Sequence, residues 1–365
     1  MTKEESPKES LEQESPETST AKADTAPAAD DPRKPASPTQ ITKPTWTYIL
    51  KRALREFSKD QCPDAAAALT YYGVLSLFPA LLALVSLLGI FGQAGKTTTA
   101  LFEIVRGIAP GTTADTIRQP IEELITSPAS GFTLILGLLT ALWSASGYVG
   151  AFSRAMNRIY EVDEGRPFVK LRATMLGVTV LGILIAALIA AMLALSGPVA
   201  DGAGRAIGLG GDILTVWNIA KWPVVILLVI VIIAVLYYAT PNVQQPRFRW
   251  MSIGSFLALL AFVIASLAFG FYVANFANYN KTYGAIGGVI IMLLWLWILN
   301  MSLLFGAETD AETERGRELQ AGINAEETIQ LRPRGTKRSE KEQEQENEDT
   351  SYARTVRERH DKTVD

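Results

Sequence analysis

Residues 173–200 read ATMLGVTVLGILIAALIAAMLALSGPVA, an uncharged apolar run that begins after Arg172 and ends before Asp201. A helix needs about 20 mostly apolar residues to cross the hydrocarbon layer of a bilayer, which is about 30 Å thick. Five more runs of this kind occur along the chain. The sequence therefore predicts an all-α, polytopic membrane protein with six transmembrane helices. We predict the spans at about residues 67–92, 131–153, 173–196, 222–239, 251–274 and 284–307.

The two ends of the chain differ from this apolar middle. Residues 1–44 and 312–365 are rich in charged and small polar side chains and contain few large apolar ones. Such segments cannot bury enough apolar surface to offset the entropy lost on ordering, so we predict disordered tails around a membrane domain at 45–311. The N-terminal segment also lacks the apolar stretch of a secretory signal. The net charge of -3 describes these tails and does not indicate a nucleic-acid partner.

Lysine and arginine residues lie mainly on alternate sides of the predicted spans. Residues 51–59, 154–172 and 247–249 carry most of the basic side chains close to a span. Basic loops stay in the cytoplasm, so both termini should be cytoplasmic.

Two regions outside the spans have helical periodicity. From Trp46 to Phe57, apolar side chains share one helical face and basic ones the other, which is typical of a helix lying on the cytoplasmic leaflet. A plain helical lead-in to the first span is the alternative. The loop at 92–130 contains two shorter periodic stretches, which predict two amphipathic helices on the outer face.

Small and polar residues form stripes along three of the spans. The stripe on the second span is Ser146, Gly150, Ser153 and Asn157. The comparable stripes on the first and sixth spans include Tyr72, Ser76, Pro79, Gly284, Gly288, Asn300 and Gly306. These stripes either line a hydrated pathway or form dry seams between helices. We favour seams, because small residues at a helix contact need no other explanation.

The uncharged cores of the spans show no membrane-embedded proton relay, because they contain no ionisable side chain. Asp64 and Glu308 lie at span ends, and we expect them to pair with nearby arginines such as Arg154 or Arg158.

The sequence also lacks a recognisable catalytic or metal-binding constellation. The only histidine, His360, lies near the end of the chain, and Ser144 and Ser146 have no base at their depth in the membrane. The single cysteine, Cys62, excludes an intramolecular disulfide. We predict a non-enzymatic protein without a cofactor or metal.

Four segments together resemble the YihY/BrkB family of bacterial inner-membrane proteins, whose members have also carried the label ribonuclease BN. They are AALTYYGVLSLFPALLAL (67–84), LWSASGYVGAFSRAMNRIY (142–160), LYYATPNVQQPRFRW (236–250) and NYNKTYGAIGGVIIMLLWLWILNMSLLFGAE (278–308). The resemblance covers about residues 45–312. The positions that match the family motifs are Tyr71, Ser76, Pro79, Trp143, Ser144, Asn157, Tyr160, Pro241, Tyr283, Gly284, Gly287, Trp295, Gly306 and Glu308.

The resemblance implies a six-helix protein of the bacterial inner membrane that is linked to envelope integrity and to the movement of lipidic material. Our first hypothesis is a translocator of a lipidic or amphiphilic envelope component that uses the polar faces of spans one, two and six. The second is a membrane scaffold that anchors envelope proteins, with the long tails as candidate contact regions. A tRNA-processing ribonuclease ranks third, because the metal ligands are missing. Membrane lipids are the expected partners, with envelope proteins as candidates, and no nucleic acid is expected.

Overall fold

The computed structural model describes residues 18–90, 131–194, 211–246, 252–276 and 285–361. These residues are predominantly α-helical, and their β-structure is limited to an isolated bridge between Val243 and Pro333. The predicted all-α class is confirmed. The α-helices of the described residues are α1 (Ser19–Thr25), α2 (Lys43–Lys59), α3 (Cys62–Ile90), α4 (Gly131–Ile159), α5 (Phe168–Ala194), α6 (Gly211–Ala239), α7 (Ile253–Phe276), α8 (Ala285–Gln320) and α9 (Lys337–Asp361).

The long helices α3 to α8 lie where the sequence predicted the six spans. Four of them contain a segment long and apolar enough to cross a membrane, namely Phe168–Leu193, Val216–Ala239, Ile253–Val273 and Gly287–Gln320. Large apolar side chains such as Leu267 and Phe271 point outward from α7, as expected where lipid surrounds a helix. Crossing of the membrane by α3 and α4 stays a prediction.

The bundle is built from two close helix pairs joined through α8. The pairs are α3 with α4 and α7 with α8, and α8 also packs against α2 and α3. Leu69 of α3, Phe152 of α4 and Leu304 of α8 are fully buried in the shared core. A side chain at Gly254 or Gly306 would collide with the backbone of the other residue, so glycine is required at this crossing of α7 and α8.

The predicted boundary between membrane domain and C-terminal tail, at residues 311 and 312, falls inside a continuous helix. Helix α8 continues without a break to Gln320, and residues 325, 329 and 331 are buried apolar side chains. Helix α9 then occupies much of the remaining chain. The average composition of this segment is polar, so it did not indicate that some apolar side chains would be buried and that some charged side chains would form buried ion pairs. Residues 362–365 lie outside the described part.

The predicted N-terminal tail is likewise ordered where the structure describes it. Residues 18–42, here called the N-terminal strap, run across one end of the bundle. Lys34 of the strap is buried, and its Nζ lies 2.9 Å from Oε1 of Glu314 and 3.1 Å from Oε1 of Glu318. The Nζ of Lys22 donates to the carbonyl oxygen of Glu161 at 3.0 Å. Residues 1–17 of the predicted tail lie outside the described residues.

Helix α2 confirms the predicted amphipathic helix, but its apolar face has two environments. Ile49 and Ala53 are buried, and Ile49 packs close to Gly316 of α8. Leu50 and Leu54 are 48% and 64% exposed, which leaves them available to a bilayer surface. The two helices predicted within 92–130 lie outside the described residues.

The strap, α2 and the extension of α8 meet at the same end of the bundle. We call this region the polar base and define it by residues 18–61, 157–167, 240–246 and 305–340. Buried ion pairs join 18–61 and 157–167 to 305–340, and hydrogen bonds join 240–246 to the rest of the polar base. These contacts explain why the polar sequence of the segments does not leave them unfolded.

Replacing Lys34 with methionine should release the strap. The variant leaves the carboxylate of Glu318 buried without its cation, and removing one partner of a buried pair costs about 3–5 kcal/mol. We expect a lower melting temperature in detergent and faster cleavage by proteinase K within residues 18–42.

The matched control is Arg33→Met, because the adjacent Arg33 side chain is 59% exposed and pairs with the nearby Asp31. Equal melting temperatures and cleavage patterns in the two variants would show that Lys34 does not anchor the strap.

Candidate functional site

A hydrogen-bonded seam joins α3, α4 and α8 inside the bundle. The hydroxyl of Tyr148 donates to Oδ1 of Asn300 at 2.8 Å, and Nδ2 of Asn300 donates to Oγ1 of Thr70 at 3.1 Å. The predicted stripes contained Asn300 but missed Tyr148 and Thr70. The seam gives each polar group a partner within the protein, as required where water is absent.

The predicted stripe on α4 is largely buried. Ser146 donates to the carbonyl oxygen of Trp143 in its own helix, and Ser153 donates to the carbonyl oxygen of Thr240 at the end of α6. Asn157 reaches the loop after α4, and Gly150 lies next to Arg154. Ser153 and Asn157 of the stripe therefore contact other segments of the protein.

Arg166 is the centre of a polar network that the sequence did not reveal. Its Nε and Nη2 donate to the two oxygens of Glu164 at 2.7 Å and 2.6 Å. The same Nη2 donates to the carbonyl oxygen of Thr240 at 2.7 Å and lies 3.2 Å from Oγ of Ser153. The Arg166 side chain is buried, so these bonds replace the water that a guanidinium would otherwise require.

The carboxylate of Glu164 is held in its charged form. Burial alone would raise the pKa of Glu164, but the hydrogen bonds and charge of Arg166 and a hydrogen bond from Asn157 outweigh it, so the pKa lies below its usual value. From the sequence alone, Arg166 could be recognised only as one of several basic residues near a predicted span.

The loop after α6 joins this network to the C-terminal segment. Pro241 is buried, and the next residue, Asn242, donates from its backbone N–H to Oδ1 of Asn157 at 2.7 Å. The side chain of Asn242 bonds to the backbone of Gly335 in both directions, at 2.9 Å and 3.1 Å. Pro241 therefore belongs to a structural junction in the polar base.

Several of the predicted motif residues face outward from the bundle. Tyr71 is 61% exposed and Trp143 is 49% exposed, and Ser144 and Trp295 are exposed too. The guanidinium of Arg172 lies 4.2 Å from the centre of the Trp143 ring, a cation–π contact. Aromatic rings placed in this way suit a membrane interface.

The remaining predicted positions have different surroundings. Tyr72 contacts Tyr71 edge to face, with ring centres 5.6 Å apart. Helix α3 continues through Pro79, Gly287 is buried and Gly288 is partly buried in α8. Tyr160 is buried in the polar base. Tyr283 and Gly284 lie outside the described residues.

Carboxylates gather where α2, α3 and α8 meet. Glu308 is buried, and its Oε2 lies 4.0 Å from the thiol of Cys62. Among the described residues, Glu308 forms no ion pair with Arg154 or Arg158, so that expected pairing is wrong for Glu308. Arg158 instead donates to the carbonyl oxygen of Asp60 at 3.3 Å.

The next turn of α8 is held by arginines. Glu312 accepts from Nε of Arg52 at 3.3 Å and from Nε of Arg315 at 3.1 Å. Nη2 of Arg315 donates to Oε1 of Glu161 at 2.8 Å. Glu161 lies two residues beyond the end of α4 and has a φ of 51°, an uncommon conformation for a residue other than glycine. Its contacts hold it in this conformation.

Two of the cavities among the described residues lie close to the predicted site residues. One of about 190 Å³ lies between α3, α4, α5 and α6, and its lining is mainly apolar apart from Ser76, Tyr148 and Thr179. The other, of about 150 Å³, lies at the edge of the polar base, and its lining includes Tyr160, Asp310 and Pro38 of the strap. The cavity between α3, α4, α5 and α6 is suited to an apolar occupant, because its lining is mainly apolar.

No group of three or more His, Cys, Asp or Glu side chains that could hold a metal occurs among the residues described.

Replacing Arg166 with lysine should destabilise the protein although the charge is retained. An ammonium group cannot form the two parallel bonds to Glu164 and the bond to Thr240 together, so we expect a loss of about 2–4 kcal/mol. Thermal unfolding in detergent measures the change. Lys170→Arg, at an exposed position on α5, is the control and should change stability by less than about 0.5 kcal/mol.

Replacing Asp60 with asparagine should stabilise the protein at neutral pH. Burial, together with the charges of Glu161 and Glu56, raises the pKa of Asp60 to about 6. A carboxyl with a raised pKa favours the folded state below its unfolded value near 4, and this contribution is lost as the pH rises through 6. The melting temperature of Asp60→Asn minus that of wild type should therefore increase between pH 4.5 and pH 7.5.

Asp64→Asn is the control, because Asp64 lies in the first turn of α3, where the helix dipole favours a negative charge. A pH-independent difference between Asp60→Asn and wild type would argue against the assigned repulsion.

Comparison with known proteins identifies the family. Residues 53–329 match the sequence model of the family described as Virulence factor BrkB. The ribonuclease-like protein YfkH of Bacillus subtilis is 28% identical over 272 residues, which cover 74% of this chain and 97% of that protein. A UPF0761 membrane protein of Alkalilimnicola ehrlichii is 34% identical over 267 residues, covering 72% of this chain and 56% of that protein.

A UPF0761 membrane protein of Aggregatibacter aphrophilus is 25% identical over 268 residues, covering 73% of this chain and 92% of that protein. No solved structure matches the chain. The family match runs from within α2 to beyond the end of α8 and so includes every long helix of the bundle. The chain belongs to the BrkB family of membrane proteins.

Proposed function

We propose that this protein is a non-enzymatic inner-membrane protein that binds the apolar part of a lipidic envelope component and helps to move it across the bilayer. The observation that carries the proposal is the apolar cavity of about 190 Å³ between α3, α4, α5 and α6. An apolar cavity of about 150 Å³ can hold a benzene-sized group, so this one has room for a segment of an acyl chain.

The surroundings of the cavity support an amphiphilic occupant. Tyr148 lines the cavity and also takes part in the seam with Asn300. The hydroxyl groups of Ser76 and Thr179, which lie in the lining, donate to backbone carbonyls of their own helices. An apolar chain therefore meets few unsatisfied polar groups in the cavity.

The seam sets a condition on translocation. A polar headgroup that follows the faces of α3, α4 and α8 must separate Tyr148, Asn300 and Thr70, which bond to one another. The proposed movement therefore includes an opening of the seam, with the headgroup replacing the lost bonds.

The glycines of α5 provide a test of the cavity. Nothing lies within 4 Å of where a Cβ would stand at Gly182, which lines the cavity, or at Gly177, which does not. Gly182→Leu should fill the cavity, whereas Gly177→Leu adds the same group at an exposed position of the same helix. Both changes raise helix propensity equally, so they differ mainly in cavity volume.

The assay follows fluorescent phospholipid reaching the outer leaflet of proteoliposomes, where dithionite bleaches it. We expect wild type and Gly177→Leu to be similar and Gly182→Leu to be slower by about fivefold or more. Equal rates for the two variants would remove the cavity from the mechanism. A wild-type rate equal to that of protein-free vesicles would contradict translocation itself.

A scaffold role is the second candidate, and the exposed helix α9 favours it. Residues 340–359 are all exposed and could contact an envelope protein. Truncation after Glu340 removes most of α9 and keeps the contacts of its first turn. A scaffold should then lose its contribution to envelope integrity in cells, whereas a translocator should keep the lipid transfer measured in vesicles.

A further inference from the structure

Helix α9 leaves the polar base and extends into solvent. Its first turn is fixed by the backbone N–H of Arg338, which donates to the carbonyl oxygen of Gly165 at 3.1 Å. Beyond Ser339, every residue from 340 to 359 is exposed. A strongly charged helix of this length is only marginally stable alone in water, so a partner along its length would stabilise it.

The N-terminal half of α9 is acidic, and its C-terminal half carries the arginines. Residues 340–349 contain six acidic side chains and one lysine. Residues 350–361 contain three arginines and two acidic side chains. Within the acidic half, like charges stand four residues apart and destabilise the helix, at Glu340 and Glu344, Glu342 and Glu346, and Glu344 and Glu348. The acidic half therefore favours a basic partner.

One face of α9 has the spacing of a coiled-coil seam. The steps alternate between three and four residues through Glu342, Gln345, Asp349, Tyr352, Val356 and Arg359. Tyr352 is 71% exposed and Val356 is 52% exposed, so the apolar part of this face is accessible. The hydrogen bond from Thr20 of α1 reaches Gln343, which lies on the opposite side of the helix.

We propose that α9 is a self-association element, which pairs antiparallel with α9 of a second copy of this chain. In this arrangement Glu342 faces Arg359 of the second copy, Gln345 faces its Val356, and Asp349 faces its Tyr352. The acidic half of each helix then lies beside the basic half of the other. Glu342 also accepts a hydrogen bond from Arg338 of its own helix at 2.8 Å, and such a carboxylate can bind both arginines.

Other occupants fit this helix less well. A parallel pair would place acidic half beside acidic half and gain repulsion. A membrane surface with anionic lipid would attract the arginines but repel residues 340–349. The apolar contact between two copies is small, so the pairing relies on confinement of both copies to the same membrane, which raises their effective concentration.

Disulfide trapping tests the register. Two full-length forms of the protein carry different tags and the substitution Cys62→Ser. One form also carries Gln345→Cys and the other Val356→Cys, and the two forms are reconstituted together in vesicles of neutral lipid. After mild oxidation, the yield of disulfide between the differently tagged chains is measured. This yield should be about tenfold higher than in a control mixture in which both chains carry Gln345→Cys. In the control mixture the two thiols lie about 16 Å apart along an antiparallel pair.

A charge reversal provides the second measurement. Arg354→Glu, Arg357→Glu and Arg359→Glu together should abolish the disulfide between positions 345 and 356, and the unchanged melting temperature of the bundle would show that the variant is folded. Equal cross-linking in the two mixtures, or none in either, overturns antiparallel pairing. Loss of the cross-link when anionic lipid is added also overturns it, because the arginines then bind the lipid surface.

Discussion

A charge removed from water needs a partner, and this requirement organises the polar base. Helix α8 carries the carboxylates of Glu312, Glu314 and Glu318 into a buried environment, where an unpaired charge would be strongly destabilising. Some of their partners, such as Arg315, lie on α8 itself, and others come from elsewhere in the chain, with Arg52 on α2 and Lys34 on the strap. The ion pairs thus fix the positions of α2 and the strap relative to the membrane helices.

Much of the fold could be predicted from local properties of the sequence. Uncharged runs such as 173–200 are long enough to cross a bilayer, and the positions of the long helices follow from them. The order in both tails could not be predicted in this way. Residues 18–42 have the composition of a disordered segment, and only the three-dimensional position of the carboxylates on α8 explains why Lys34 is buried.

The candidate site, like the fold, could be predicted from the sequence only in part. Helical spacing correctly placed Ser153 and Asn157 on one face, because a period of 3.6 residues needs no knowledge of the partner. Arg166 was missed, since its carboxylate and carbonyl partners converge on it only in the folded chain. Tyr148 was missed because an aromatic residue in an apolar run resembles a lipid-facing side chain until its bond to Asn300 is known.

The strap lies outside the region that matches the BrkB family, which begins at residue 53, whereas Glu314 and Glu318 lie inside it. The ion pairs of Lys34 thus join a segment outside the matched region to two carboxylates inside it. A relative without an equivalent of Lys34 must neutralise its α8 extension by other means, through a different basic residue or an apolar replacement. Sequence change at these two glutamates should therefore accompany gain or loss of the strap across the family.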